Sequence, residues 1–256
     1  KTFYFPIDFR NSSKGRRLME TRVLLHENKG WVALPYIWNA DQTDAILSVA
    51  GETLQANYID GKGKKKSYEY FVPNVNQCKG CHNRSEQMMP IGPSARQLNH
   101  EIQIGETRSN QLEFWTANHM LEGMPDIKTL HTSIKWDDPS TGNIDERARL
   151  WLDINCAHCH RANGPAATTG LYLGWNEQRA IHLGIEKTPV AAGRGSGGLK
   201  FGIVPGKPEE SILLYRLKSQ DPGIMMPELG RTQIHHESIA ILEEWILKMQ
   251  KEIGSR

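Results

Sequence analysis

The stretch NCAHCH (155–160) repeats the spacing of QCKGCH (77–82), and between them the two hold all four cysteines of the chain. On a helical turn, positions i, i+3 and i+4 share a face, so each C-x-x-C-H turns two thiols and an imidazole toward one object. A haem edge meets that demand. Cys78 and Cys81, and again Cys156 and Cys159, would form thioethers with its vinyl groups, while His82 and His160 would bind the iron from one side. The spacing therefore predicts two covalently attached c-type haems. Zinc fits less well, because paired C-x-x-C motifs in zinc sites usually stand about 15–20 residues apart, whereas Cys81 and Cys156 are separated by 75 positions. A thioredoxin-like dithiol needs one pair and no adjacent histidine. Two disulfides are a poor match, since each pair is only three residues apart.

The opposite face of each iron decides between an electron carrier and a catalyst. After the second motif, Met225 and Met226 in GIMMPELG (223–230) are the only methionines before the last helix. Pro227 stiffens the chain directly after Met226, which makes Met226 the expected sixth ligand of the second iron. For the first iron the expected ligand is Met124, in EGMPD (122–126), which repeats the Met-Pro arrangement. His119 and Met120 are its alternatives, His100 is a more remote one, and an open iron is another. Met88 and Met89 follow His82 too closely to reach round a porphyrin and are read as packing. IGPSARQLN (91–99) and ANGPAA (162–167) resemble the segments of cytochromes c in which a proline carbonyl accepts from the proximal histidine; that resemblance makes Pro93 and Pro165 the candidate acceptors for the ring N–H of His82 and His160, bonds that fix ring orientation. Arg194 is a candidate partner for a haem propionate.

The remaining sequence divides at about residue 72. Before it, FYFPIDF (3–9), METRVLLHENKGWVALPYIW (19–38), AILSVAGETLQANYI (45–59) and SYEYFVP (67–73) are β-favouring runs broken by glycine turns. They predict a small antiparallel domain over 1–72, with Arg16, Arg17, Glu20 and Arg22 as surface ion pairs. Beyond it the pattern is helical with long loops, giving haem domains over 73–138 and 139–256. GNIDERARLWLDIN (142–155) reads as a helix with Asn143 or Asp145 at its start. In HESIAILEEWILKM (236–249) the stripe Ile239, Leu242, Trp245, Ile246 and Met249 can pack on Leu150, Trp151 and Ile154. The expected fold class is α+β: the β-rich domain followed by two mainly α, cytochrome c-like domains.

Composition narrows the function. A net charge of +2 over 256 residues gives no basis for nucleic-acid binding, and Lys62, Lys64, Lys65 and Lys66 fall in a glycine-flanked turn. No apolar run reaches the roughly 18 residues of a membrane span. KTFYFPIDFR (1–10) reads as a strand already inside a fold, so a processed or trimmed terminus is expected. Gly193, Gly195 and Gly198 have G-x-G-x-x-G spacing, but Gly202 and Pro205 interrupt the helix that a dinucleotide site requires.

With these motifs in place, the chain resembles a family of periplasmic dihaem c-type cytochromes that carry a β-rich segment ahead of the haem region. The matching stretches are ETRVLLHENKGWVALPYIWN (20–39), PNVNQCKGCH (73–82), PIGPSARQLN (90–99), ERARLWLDINCAHCH (146–160), PVAAGRGSGGLKFGIVPGKPEESILLYR (189–216) and MMPELGR (225–231). The resemblance implies a bacterial protein at the periplasmic or extracellular face, relaying single electrons between donor and acceptor proteins. Two alternatives stand beside it. One is a dihaem peroxidase or oxidase with one open iron, served by His119 or Glu122 as acid or base; the other is a haem-wired structural subunit of a larger redox complex.

Overall fold

Period-2 patterning in residues 2–72 builds two antiparallel layers. In the computed structural model, which describes residues 1–130 and 134–249, strands β1 (Thr2–Pro6), β2 (Arg16–Glu27), β3 (Gly30–Trp38) and β4 (Ala45–Leu47) pair in chain order. The β2–β3 connection is two residues long, Asn28 and Lys29, because Glu27 pairs with Gly30, whose φ of 110° only glycine adopts readily. Strands β5 (Glu52–Ile59) and β6 (Lys65–Val72) form a separate hairpin. Its lysine-rich turn is held by Asp60, whose carboxylate accepts from the Lys62 and Lys64 amides, both at 2.9 Å. The hairpin meets the sheet through rings, with Phe5 lying 5.1 Å from Tyr68 and 6.1 Å from Tyr70.

Glu20 and Arg22 are not the surface ion pair that their chemistry predicts. Two residues apart on β2, they point to the same face, and Tyr70 of β6 lies over that face. Glu20 is fully buried, bound through both oxygens by the Arg22 guanidinium, and accepts a third bond from the Tyr70 hydroxyl at 2.9 Å. Burial and the adjacent carboxylate push the Tyr70 phenol well above its ordinary range, so it stays a donor.

The region from 73 to 130 is more mixed than the expected mainly helical domain. It holds the short helices α1 (Val75–Cys81), α2 (Ala95–Leu98) and α3 (Gln111–Ala117), interleaved with the hairpins β7 (Asn83–Arg84)–β8 (Gln87–Met88) and β9 (Glu101–Ile104)–β10 (Thr107–Asn110). EIQIGETRSN (101–110) supplies the second hairpin because Gly105, at φ 59°, opens a two-residue turn between alternating residues. Residues 131–133 of the expected first haem domain, and 250–256 of the second, lie outside the described residues.

The second region is built on α4 (Ile144–Asn155), α5 (Ile212–Lys218) and α6 (His236–Lys248). A reciprocal capping box starts α4: Asn143 accepts from the Glu146 amide at 3.0 Å, and Glu146 accepts from the Asn143 amide at 2.9 Å. The expected α6 stripe is buried except at Met249, which is half-buried against it. Ile239, Leu242, Trp245 and Ile246 join Ala148, Trp151 and Leu152 of α4 and Leu214 and Leu217 of α5 in one apolar cluster. Two expected partners depart from that: Leu150 is buried outside this cluster, and Ile154 is 40% exposed. Trp245 keeps its indole N–H satisfied by donating to Asp145 at 2.8 Å. Between α4 and α5 the chain runs through irregular turns, including the glycine-rich 193–196, a 3₁₀ turn with no strand before it or long helix after it. A long segment with little regular structure is usually functional, and here it forms much of a cavity wall. Among the described residues, no helix is long and apolar enough to cross a membrane.

Candidate functional site

Both motifs fold into the same backbone turn. The His82 amide donates to the Cys78 carbonyl at 2.9 Å, and the His160 amide donates to the Cys156 carbonyl at 2.9 Å. Each is an i to i−4 bond, so the two thiols and the imidazole of each motif stand one turn apart on one side. The approaches differ. The first motif is the body of α1, which Asn74 and Gln77 cap reciprocally, whereas the second follows the end of α4, with Cys156 as its cap residue. All four cysteines are free thiols.

Each histidine ring is oriented through Nδ1, though not by the prolines that the sequence nominates. His82 Nδ1 lies 3.2 Å from the carbonyl oxygen of Met89, an atom that only accepts, so Nδ1 carries the proton and Nε2 keeps a free lone pair. Met89 serves because β7–β8 folds it back beside the motif, where its amide also donates to the His82 carbonyl at 3.1 Å. Pro93 is exposed on the following loop. His160 Nδ1 lies 3.2 Å from Thr169 Oγ1; that hydroxyl donates to the Ala166 carbonyl at 2.7 Å, accepts from the Leu171 amide at 3.2 Å and is left with one lone pair to accept the ring proton. Pro165 lines the cavity beside it. Burial pushes the His160 imidazole down to about 4 and also lowers that of His82, so both rings are neutral at neutral pH, as an iron ligand must be.

A cavity of about 620 Å³ opens on the second motif. Cys156, Cys159 and His160 lie on its wall, and so do Met226 and Pro227 from the loop between α5 and α6. The size falls within the roughly 300–1,000 Å³ of small-molecule and cofactor sites. The rest of the lining is largely aliphatic, with Leu173, Leu183, Ile203 and Leu217 on both the core and the cavity side. A flat, mostly apolar macrocycle with sulfur anchors, a ring-nitrogen ligand and a thioether ligand fits these residues. Met225 is not on that wall.

Two cations line the cavity, Lys187 and Arg216, and neither was foreseen from the sequence. Arg216 sits within LLYRLK on α5, where helical spacing alone gives it no distinction from Lys218. Its Nε donates to the Ile224 carbonyl at 2.7 Å, which ties α5 to the Met226 loop. Arg194, the sequence candidate for a propionate, instead pairs with Asp221 at 2.8 Å and is 69% exposed. It is absent from the cavity wall.

The first motif reaches the same cavity. Gly80 and Cys81 lie on its wall, and the Sγ atoms of Cys81 and Cys159 and a ring nitrogen of His158 are all within 4.8 Å of one another. The neighbouring Cys159 thiol, and after it His158, draw the Cys81 thiol well below its ordinary range, and the same proximity raises that of Cys159. His158 Nδ1 is buried without a hydrogen-bond partner among the described residues. Chemically this is a set of soft donors contributed by two segments, and it would equally receive thioether bonds or a soft metal.

The expected sixth ligand of the first iron lies with α3. Met124 Sδ lies 3.5 Å from Thr116 Oγ1, whose one proton goes to the Leu112 carbonyl at 2.9 Å. Of its alternatives, His119 follows α3 in a left-handed conformation at φ 56°, Met120 is 64% exposed, and His100 Nδ1 donates to the Gln97 carbonyl at 3.0 Å. Glu122 is exposed. No family model matches the chain, and no curated protein or solved structure matches it.

Proposed function

We propose that the chain is a dihaem c-type cytochrome, of the periplasmic family that its sequence resembles, and that it relays single electrons between donor and acceptor proteins. In this reading residues 73–138 and 139–256 are cytochrome c-like haem domains, and the β-rich domain covers the first of them. The observation that carries it is the cavity wall holding Cys156, Cys159, His160 and Met226 together, although Met226 lies 66 positions beyond His160. Bound there, iron in a porphyrin supplies reversible one-electron chemistry at a potential raised by thioether ligation. The chain's own residues do the rest. Thr169 and Met89 fix the imidazoles in the tautomer that presents Nε2, the aliphatic wall excludes water, and Arg216 and Lys187 offer positive charge to the acidic edge of the group. Met124 remains the proposed ligand of the first iron, and reaching it would require its sulfur to leave Thr116.

The reading is tested on chain exported by a bacterial host that attaches haem. The expected mass is that of the polypeptide plus two haems, with a reduced spectrum of the c type. A bare polypeptide mass overturns it. One observation favours a second reading: the convergence of Cys81, His158 and Cys159 is the start of a structural metal centre. That version predicts four free thiols after denaturation and one equivalent of zinc or a similar soft ion in the purified protein.

A further inference from the structure

The chain is held differently on the two sides of Met226. On the approach, the Ile224 and Met225 amides donate to the Asp221 carbonyl at 2.9 and 2.8 Å, and the Met226 amide donates to the Arg216 carbonyl at 3.2 Å. On the departure, residues 227–234 make no backbone–backbone hydrogen bond among the described residues. Yet Pro227, Glu228 and Leu229 of this limb line the cavity beside Met226. Side chains must fasten it. Arg231 donates to the Leu217 carbonyl through Nη1 and to the Ser219 carbonyl through Nη2, both at 2.6 Å, and Nη2 lies 3.5 Å from the Arg216 carbonyl that also receives the Met226 amide. These carbonyls stand at the C-terminal end of α5, where the helix leaves acceptors without partners and its dipole favours a cation. Gln220 Nε2 adds a neutral bond to the Thr232 carbonyl at 3.3 Å. Arg231 itself is off the cavity wall and lines a cleft against Tyr68, Tyr70 and Phe71 of β6.

We infer that Arg231 is a positioning residue: by fastening the departing limb to the end of α5 it holds the Met226 sulfur on the cavity wall and sets how readily that sulfur is displaced from the iron, a role that rests on haem being held at the second site. Arg231 acts only through the loop. A thioether is a soft ligand, and a ferric iron exchanges it for a nitrogen donor once the loop can swing away. With the approach tied by backbone bonds and the departure tied by one guanidinium, the swing is limited from both ends.

The test titrates the matured, ferric, full-length protein with imidazole, whose nitrogen takes the place of the sulfur at the iron with no change of oxidation state. Wild type, Arg231→Gln, Met226→Ala and the double variant are compared by absorption. Arg231→Gln should bind imidazole about tenfold more tightly than wild type, the scale expected when charged hydrogen bonds to carbonyls are lost. In Met226→Ala there is no sulfur to displace, so adding Arg231→Gln should leave the affinity unchanged. Binding at any other iron is common to all these proteins and cancels in the comparison. Arg231→Lys keeps a cation at the helix end and should recover part of the wild-type behaviour, while Gln220→Ala should shift it the same way as Arg231→Gln but by less. Should Arg231→Gln fail to fold, Arg231→Lys and Gln220→Ala are put through the same comparison, and no shift in either overturns the role. An equal change with and without Met226, or an unmoved imidazole affinity while the urea midpoint falls, makes Arg231 merely structural and leaves the haem reading standing. A mass without haem overturns the haem reading itself.

Discussion

The two C-x-x-C-H turns have the same backbone bonds and opposite surroundings. Around the second, three helices supply a continuous apolar cluster that runs into the cavity wall. Around the first, the described residues of 75–130 bury little apolar surface beyond Cys78 and Leu112. What the first lacks in its own core, the β-rich domain supplies: the Val75 amide donates to the Val49 carbonyl at 3.2 Å, and α1 packs on β3. The charge on Arg22 acts on both Cys78 and His82. At the second site the corresponding cation is Arg216, which acts on His160. One local geometry is thus supported in two ways, by an apolar core in one place and by a sheet with a buried ion pair in the other.

The largest expected effect lies at the ligands. If the proposed dihaem reading holds, Met226→Ala abolishes the far-red band that a thioether gives to a ferric haem at the second site, while Met124→Ala tests the first. If the Thr116 contact of Met124 persists with haem bound, Met124→Ala leaves the absorption unchanged. Loss of a band in both variants would make the two sites chemically alike despite their different walls.

Next in size is the core of the second region. Trp245→Ala removes a buried ring and leaves Asp145 without its donor, at a cost of about 3–5 kcal/mol in stability. Urea denaturation monitored by far-ultraviolet circular dichroism reads this. A loss below about 1 kcal/mol would mean that the cluster is not what holds the second site.

Glu20→Ala should cost about 2–3 kcal/mol, because the Arg22 guanidinium loses its partner while buried enough to feel it. Arg22 keeps 28% of its side chain exposed, which holds the figure below that of a fully enclosed pair. Tyr70→Phe, which removes one bond to the carboxylate, should cost about 1 kcal/mol. If the sheet shields the first site alone, the absorption of the first haem shifts in these variants and that of the second does not. Equal shifts in both would erase the difference between the two regions.

Much of the second site was legible in the sequence, because each of its parts has a local signature: C-x-x-C-H, the Asn143 cap, the α6 stripe and Met-Pro. The first site was read less well. Its hairpins β7–β8 and β9–β10 are short, and their alternation spans too few residues to override an expectation of helix. The ring partners Met89 and Thr169 carry no signature, since a backbone carbonyl is available at any residue and a threonine hydroxyl at any loop. The sequence nominates Arg194 and passes over Arg216, because proximity to the cavity depends on where α5 packs. Glu20 and Arg22 look like surface residues until β6 is laid across them. Nothing in the spacing of the motifs foretold that Cys81 would meet Cys159.

The smallest effect belongs to the β-rich domain alone. Asp8 is 2% exposed and receives the Arg10 side chain and backbone amide, with Lys14 at 3.4 Å; the Arg10 side chain is the main cause that draws its carboxyl from 3.8 down to about 2. A carboxyl with a depressed folded value binds fewer protons than the unfolded chain between those two limits. Its contribution is therefore complete above pH 3.8 and is lost as the pH falls through 2. Asp8→Asn removes that contribution, so wild type and variant should differ in denaturation midpoint at pH 5 and converge toward pH 2. The carboxylate sits where the chain leaves β1 and bridges to Ile59 of β5, so the difference should appear in the unfolding of the sheet and leave the spectrum of the second haem untouched. A shift in that spectrum on the same pH scale would show that the sheet and the second core melt as one unit, and the division of labour between the two sites would then be local geometry without separate stability.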